Sequence, residues 1–360
     1  MKEWTGDLQQ TDLYQLEHWY QPSQVLLFDI ETTGFSPQNT LLYMIGFCYY
    51  QEQSWHYRML FNDDGRSEYQ ILNEFLTVLQ SYTTFIHFNG DGFDVPYLME
   101  KCRQYRSLGL SLPTETLLAD KQSIDLYKII KPYKNGLRLP NLKLTTIETA
   151  MQLHRTDSFH GGELIRVYRD FLTHPDKAKE ELLYRHNYED ILAMIPMIQL
   201  LNFQELQEHH WELLAMTRKE QQIRLLLHFN YPLPLRYVIS TPYFDFNGYQ
   251  EQSVIVIPIY QEEMKYFLSD WKNYYYLPLE ETVIHKSVAA YVDTSYKEKA
   301  KKNNCFLKKE GCFLPFPKEM SKPQVRLYKR DFKDTLTYAE LADIESDNPA
   351  FWLEYLKHTF

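Results

Sequence analysis

The chain contains no apolar run long enough to cross a bilayer, which excludes a membrane-spanning helix and gives no reason to expect a membrane partner. Its start, Met1-Lys-Glu-Trp-Thr-Gly-Asp7, lacks the basic-then-apolar layout of a secretory signal, so a cytoplasmic location is expected. Only four cysteines are present, Cys48, Cys102, Cys305 and Cys312, and none forms a C-x-x-C pair, which points to reduced thiols. There is no internal repeat and no low-complexity segment. A basic excess is missing too. The net charge is −10, and residues 1–210 hold 18 Lys/Arg against 28 Asp/Glu, while residues 211–360 hold 20 of each. An acidic first part is unlike a general nucleic-acid binder, unless bound divalent cations reverse the field locally.

What is present is an ordinary globular composition, 44% hydrophobic and 24% charged, over 360 residues, enough for two domains. Residues 1–22 read as a polar, helical arm ending at Pro22. Val25–Glu31, Leu41–Tyr50 and Trp55–Leu60 read as three consecutive strands, and Ser67–Gln80 as an amphipathic helix. Thr83–Phe88 reads as a buried strand leading to a helix over Asp94–Arg106. Ser123–Ile130 reads as a short strand or turn. Asn141–Leu153, Gly162–Leu172 and Asp176–Leu201 read as helices. The expectation is an α/β domain over residues 23–205, with a mixed five-stranded sheet flanked by helices. Residues 206–360 are expected to form a smaller α+β domain. It would open with a helix near Trp211–Phe229, carry a hairpin around Lys309-Glu-Gly311 and close with a helix over Thr337–His358.

The most informative segment is Val25-Leu-Leu-Phe-Asp-Ile-Glu-Thr-Thr-Gly34. Residues at i and i+2 of a strand share a face, so Asp29 and Glu31 stand side by side at the end of a buried run. Carboxylates that close repel unless a cation lies between them or one keeps its proton. Oxygen donors of this kind suit Mg²⁺ or Mn²⁺. The same spacing also fits an acidic turn capping a helix. A third acid, Asp94, ends the segment Asn89-Gly-Asp-Gly-Phe-Asp94 after a buried strand, where it could bind a cation or cap the helix. Asp91 reads as turn chemistry and His87 as a strand residue. A fourth acid, Asp190, lies one helical turn after His186, so both share a face. Histidine suits proton transfer and the carboxylate suits a metal.

These three acid-bearing segments, in this order, resemble the DEDD (DnaQ-like) 3′–5′ exonuclease superfamily, which has the ribonuclease H-like fold. The likeness is narrower to the YprB-type bacterial ribonuclease H-like proteins. It rests on Phe28-Asp-Ile-Glu-Thr-Thr-Gly34, Asn89-Gly-Asp-Gly-Phe-Asp94 and Asn187-Tyr-Glu-Asp190 preceded by His186. Leu142-Lys-Leu144 and Gly161-Gly-Glu-Leu-Ile-Arg-Val-Tyr168 lie between them, and the likeness covers residues 24–202. It implies that Asp29, Glu31, Asp94 and Asp190 hold two divalent cations, Mg²⁺ or Mn²⁺, for in-line hydrolysis of a phosphodiester.

The expected substrate is therefore a single-stranded DNA or RNA with a 3′ end. Family members carry a His five residues before the last Asp, or a Tyr four before it. Here Arg185 and His186 occupy those positions, so a His stands in the Tyr slot. His186 is the expected base, with Tyr184 and Tyr188 as alternatives. The resemblance places Thr32, Thr33 and Gly34 beside the terminal nucleotide and Phe35 against its base, although Phe35 could equally pack under the sheet. Asn89 would orient a phosphate or form the turn, and Asp125 would organise a loop.

Lys297-Glu-Lys-Ala-Lys-Lys-Asn303, with Lys308, Lys309, Tyr291, Tyr296 and Phe306, suits a single strand or is a solvated face. A different class of function also fits: a nuclease-fold module that binds nucleic acid or scaffolds, with weak or no catalysis.

Overall fold

The computed structural model describes residues 1–113, 118–156, 161–320 and 325–360. The chain divides into two compact units. One comprises Met1–Gln204 with Tyr231–Leu235, the other Glu205–Asn230 with Arg236–Phe360.

The first unit is built on a six-stranded mixed sheet. Its strands are β1 (Lys2–Leu8), β2 (Val25–Thr32), β3 (Leu42–Gln51), β4 (Ser54–Phe61), β5 (Thr84–His87) and β6 (Gln122–Asp125), in the spatial order β1-β4-β3-β2-β5-β6. The helices are α1 (Leu16–Trp19), α2 (Glu68–Leu79), α3 (Asp94–Ser107), α4 (Leu126–Ile130), α5 (Leu144–Ala150), α6 (Gly161–Thr173) and α7 (Lys177–Met197). The sheet changes character at β2, which pairs antiparallel with β3 and parallel with β5. On one face, Leu26, Phe28 and Ile30 pack with Ile71, Leu72 and Phe75 of α2 and with Leu98 of α3. Asp29 and Glu31 point to the opposite face, the period-two consequence of a strand.

The α/β expectation holds, with one strand more than the five expected. The extra strand is β1, in the segment read as a helical arm. Lys2–Leu8 pairs antiparallel with β4 along its length, and alternate residues are half-buried. Trp4 packs against Phe61 and Tyr184, which draws the polar segment onto the sheet edge.

The rest of the chain forms three small sheets, all in the second unit but for Tyr231–Leu235 of β8. One is formed by β7 (Trp211–Lys219), β8 (Gln222–Ser240) and β9 (Asp245–Pro258). A second joins β10 (Tyr260–Phe267), β14 (Phe306–Pro315) and β15 (Tyr338–Glu340). A third joins β11 (Tyr274–Leu277), β12 (Thr282–His285) and β13 (Glu298–Lys299). Short helices α8 (Gln204–Glu208) and α9 (Lys286–Ala289) and the terminal α10 (Pro349–Thr359) complete the described elements.

Three expectations fail in this unit. The proposed helix over Trp211–Phe229 is a hairpin, because Ile223, Leu225, Leu227 and Phe229 alternate into the core with a period of two. The proposed hairpin around Lys309-Glu-Gly311 is one continuous strand, paired with β10 from Phe306 to Phe313. At Gly311 a Cβ would come within 3.0 Å of Glu340 Oε1 and 3.3 Å of the Phe313 ring. The proposed terminal helix begins only at Pro349, after Asn348 caps it and after β15 has joined its sheet. In the lysine-rich stretch, Lys308 pairs with Glu263 and Glu281, and Lys309 with Glu340. Lys297 donates to backbone carbonyls of Ala289 and Val292, and Phe306 is buried.

Among the described residues, no helix is long and apolar enough to cross a membrane. All four cysteines are free.

Candidate metal centre

Three elements carry the four acids. β2 supplies Asp29 and Glu31, and a bulge between Glu31 and Thr32 ends its regular pairing with β3 there. Asp94 opens α3 after a turn in which Asn89 takes φ 62° and Asp125 Oδ1 accepts the Asn89 N–H at 2.7 Å. A Cβ on Gly90 would run into the His87 ring and come within 3.1 Å of Asp94 Oδ2, so glycine brings the turn this close. α7 is capped by Asp176, whose carboxylate accepts the Ala178 N–H at 3.1 Å. Its buried residues Leu183, His186, Asn187, Asp190, Ile191 and Met194 follow helical spacing, which aims His186, Asn187 and Asp190 at β2 and β3.

Asp29 Oδ2 accepts from the Asn187 side-chain amide at 2.7 Å, and Glu31 Oε2 accepts from Tyr43 Oη at 3.3 Å. His186 Nε2 lies 3.4 Å from Glu31 Oε1 and 3.7 Å from Asp190 Oδ2, so the three groups converge. Arg155 donates to Asp190 Oδ1 at 2.5 Å and approaches Glu148 Oε1 at 3.1 Å. It also lies 3.1 Å from His186 Nδ1.

Burial dominates the electrostatics. It raises the proton affinity of Asp29 well above the carboxylate range, reinforced by the charges of Asp190, Asp94 and Glu31 and opposed by the Asn187 hydrogen bond. Burial likewise pushes Glu31 up to about 7, with the His186 charge opposing and Asp190 adding. Asp94 is pushed up to about 7 by burial, against hydrogen bonds from backbone N–H groups that include that of Ile30. Buried carboxylates that repel one another and resist ionisation fit divalent cations, whose charge relieves both penalties. The donor set, oxygen-rich with one imidazole, suits Mg²⁺ or Mn²⁺.

Glu31, His186 and Asp190 therefore meet, and Asp29 and Asp94 lie near enough for their charges to act on the same group. Tyr184 and Tyr188 do not join them: Tyr184 Oη bonds Tyr57 Oη at 3.2 Å, and Tyr188 stacks on Tyr184 and packs against Tyr57. The hydroxyls of Thr32 and Thr33 are engaged inside their own loop, with Gly34 O and the Leu41 N–H. Phe35 is 90% exposed and touches Phe93 edge-on at 5.8 Å, so it does not pack under the sheet. Asn89 forms the turn. Asp125 caps α4 through the Tyr127 N–H, and its charge adds to the rise at Asp94. His87, Asp91 and Asp125 form a second cluster in which Ser123 bonds both His87 and Asp91 and Lys128 pairs with Asp91. Tyr43, Arg155 and Glu148 had no signal in the sequence, and Asn187 was visible only as part of a motif.

A family model described as the RNase_H superfamily matches residues 26–202. No curated protein matches the chain. Among solved structures, the chain is similar to the family B DNA polymerase of Pyrobaculum calidifontis, at 15% identity and TM-score 0.38, over 70% of this chain and 35% of the polymerase. It is also similar to an SSB/exonuclease I structure with a bound inhibitor, at 12% identity and TM-score 0.33, over 58% of this chain and 56% of that one. A third likeness is to E. coli exonuclease I in complex with a dT13 oligonucleotide, at 9% identity and TM-score 0.33, over 92% and 70% of the two chains. The chain thus spans about a third of the polymerase and little over half of the inhibitor-bound exonuclease chain. Through the segment that the family model matches, the first unit has the ribonuclease H-like fold.

Proposed function

We propose that the chain is a cytoplasmic, metal-dependent exonuclease that removes nucleotides from the 3′ end of single-stranded DNA or RNA, within the YprB-type branch of its superfamily. The observation that carries this reading is the approach of Asp29, Glu31, Asp94 and Asp190 to one another, with burial and mutual charge raising the proton affinities of Asp29, Glu31 and Asp94. Asp29, Glu31, Asp94 and Asp190 would hold two divalent cations. Bound there, the cations would supply concentrated positive charge against the scissile phosphate.

The protein's own groups do the rest. Phe35, exposed on the loop that leaves β2, offers a ring on which any base can stack. The backbone of Thr32, Thr33 and Gly34 would face the terminal nucleotide, and the Asn89 turn lies beside Asp94. His186, 3.4 Å from Glu31 and 3.7 Å from Asp190, would carry a proton.

The test is release of labelled mononucleotides from matched DNA and RNA strands in Mn²⁺, with Asp29→Asn as the comparison. Equal product from both proteins ends the enzymatic reading. A circular single strand separates exonucleolytic from endonucleolytic cutting.

A second reading, a binding module with weak catalysis, is favoured by one observation. The imidazole and Arg155 already engage the acids that a cation would need. Calorimetry distinguishes the two, since nucleic-acid binding without uptake of divalent ions supports the module.

A further inference from the structure

Arg155 lies outside helices and strands, between α5 and α6, yet only 12% of its side chain is exposed. Its guanidinium is held from below by Glu148, whose side chain is 4% exposed on α5. From there it reaches α7 at three places: Asp190 Oδ1 at 2.5 Å, His186 Nδ1 at 3.1 Å and Glu189 Oε2 at 3.8 Å. Glu189 also accepts the Thr156 N–H at 3.1 Å, which ties the same segment to the helix. A planar group with fixed donor directions that bridges a buried acid to two side chains of the site is an orienting device.

We propose that Arg155 is a positioning residue of the metal centre, holding Asp190 by Oδ1 and His186 by Nδ1. The opposite atoms, Asp190 Oδ2 and His186 Nε2, are thereby turned toward each other and toward Glu31. This rests on the reading of the acids as a cation site.

Two consequences follow from donor chemistry. A guanidinium has donors only, so the His186 Nδ1 that it faces must present its lone pair. The proton of the neutral ring then lies on Nε2, the nitrogen facing the carboxylates. His186 in this arrangement gives a hydrogen bond toward the acids. Asp190, for its part, keeps one oxygen on Arg155 and offers the other to the site. Lysine cannot reproduce this, because an ammonium is a point donor without the fork that serves both partners.

The experiment uses the full chain as wild type, Arg155→Ala, Arg155→Lys and Glu148→Gln. Mn²⁺ uptake is followed by calorimetry without substrate, and histidine ring nitrogens by long-range ¹⁵N–¹H correlation in metal-free protein. His186→Asn identifies the His186 signals. The expected wild-type spectrum has the proton on Nε2. Arg155→Ala should lower Mn²⁺ affinity by about 10- to 100-fold and average the two ring nitrogens. Arg155→Lys should regain part of the affinity without restoring the nitrogen pattern. Should Arg155→Ala fail to fold by circular dichroism, the lysine and Glu148→Gln proteins supply the same comparison.

The proposal is overturned by a wild-type His186 protonated on Nδ1, or by Arg155 variants whose isotherms and nitrogen shifts match wild type. A wild type that takes up no Mn²⁺ overturns it as well. Arg155-dependent Mn²⁺ binding in a protein that releases no nucleotides would sink the nuclease reading and leave the role of Arg155 standing.

Discussion

The side-chain amide of Asn187 donates to Asp29 Oδ2 over 2.7 Å, and Gly46, opposite Asp29 on β3, leaves the space for it. A Cβ on Gly46 would overlap Asn187 Oδ1 and come within 3.3 Å of the Ile191 side chain. Gly46→Ala should therefore destabilise the protein by about 1–3 kcal/mol through overpacking. It should also weaken Mn²⁺ binding by displacing Asn187 from Asp29. Urea unfolding and calorimetry on one preparation check both effects. A variant as stable as wild type, with an unchanged isotherm, would show that the helix relaxes away at no cost.

Glu31 and Asp94 are both pushed up to about 7 in the fold, from ordinary values of 4.5 and 3.8. Between roughly pH 4 and 7 the folded state then binds more protons than the unfolded one, so stability falls as pH rises through that window. Metal-free protein in EDTA should be more stable at pH 5 than at pH 8, by on the order of a few kcal/mol. Adding Mn²⁺ at pH 8 should recover much of the difference by binding the folded state alone. Denaturant titrations at the two pH values are the measurement. Equal stability in EDTA would mean that the acids ionise without penalty.

Phe35 contributes little to the core, being 90% exposed, so Phe35→Ala should leave the melting temperature within a degree or two of wild type. Loss of a stacking platform costs about 1–3 kcal/mol per base, which corresponds to roughly 5- to 150-fold weaker substrate binding. Fluorescence anisotropy with a labelled oligonucleotide and Asp29→Asn as the non-cleaving background reads this directly. Unchanged affinity would remove Phe35 from the nucleotide seat.

The loop carrying Phe35 is anchored by a buried charge pair. Lys101 lies 2.8 Å from Glu68, both side chains under a tenth exposed, and donates to Thr40 O at 2.6 Å. Glu68 also accepts the Leu42 N–H and the Tyr105 hydroxyl. Lys101→Met removes one partner and strands the other, so a loss of about 3–5 kcal/mol is expected in chemical denaturation. Hydrogen exchange should rise first at residues 33–41. Uniform exchange across the domain would instead mean that the pair stabilises the fold without serving the loop.

The parts of the site that were legible in the sequence are those set by local periodicity. Asp29 and Glu31 share a face because a strand repeats every two residues, and His186 and Asp190 because a helix repeats every 3.6. Arg155 was invisible because nothing local distinguishes an arginine in an irregular segment; its meaning comes from Glu148 and α7, which only the fold brings near. Tyr43 was masked by its place in an apolar strand, where a tyrosine reads as core. At the N-terminus, exposed Glu3, Thr5 and Asp7 alternate with Lys2, Trp4, Gly6 and Leu8, an apolar face too thin to mark a strand without β4. In Trp211–Phe229 the leucines satisfy helical and strand periods at once, and pairing with the neighbouring strand decided between them.

The partners Asp29 and Asn187 are 158 positions apart in the chain. Closing such a loop must precede any reward from the contact, so this joint forms late. Until α7 docks, β2 carries its two acids without the amide, the imidazole or Asp190 to complete their surroundings. The growing polypeptide therefore has no finished centre before residue 190 has been added and folded back, however early its sheet begins to assemble.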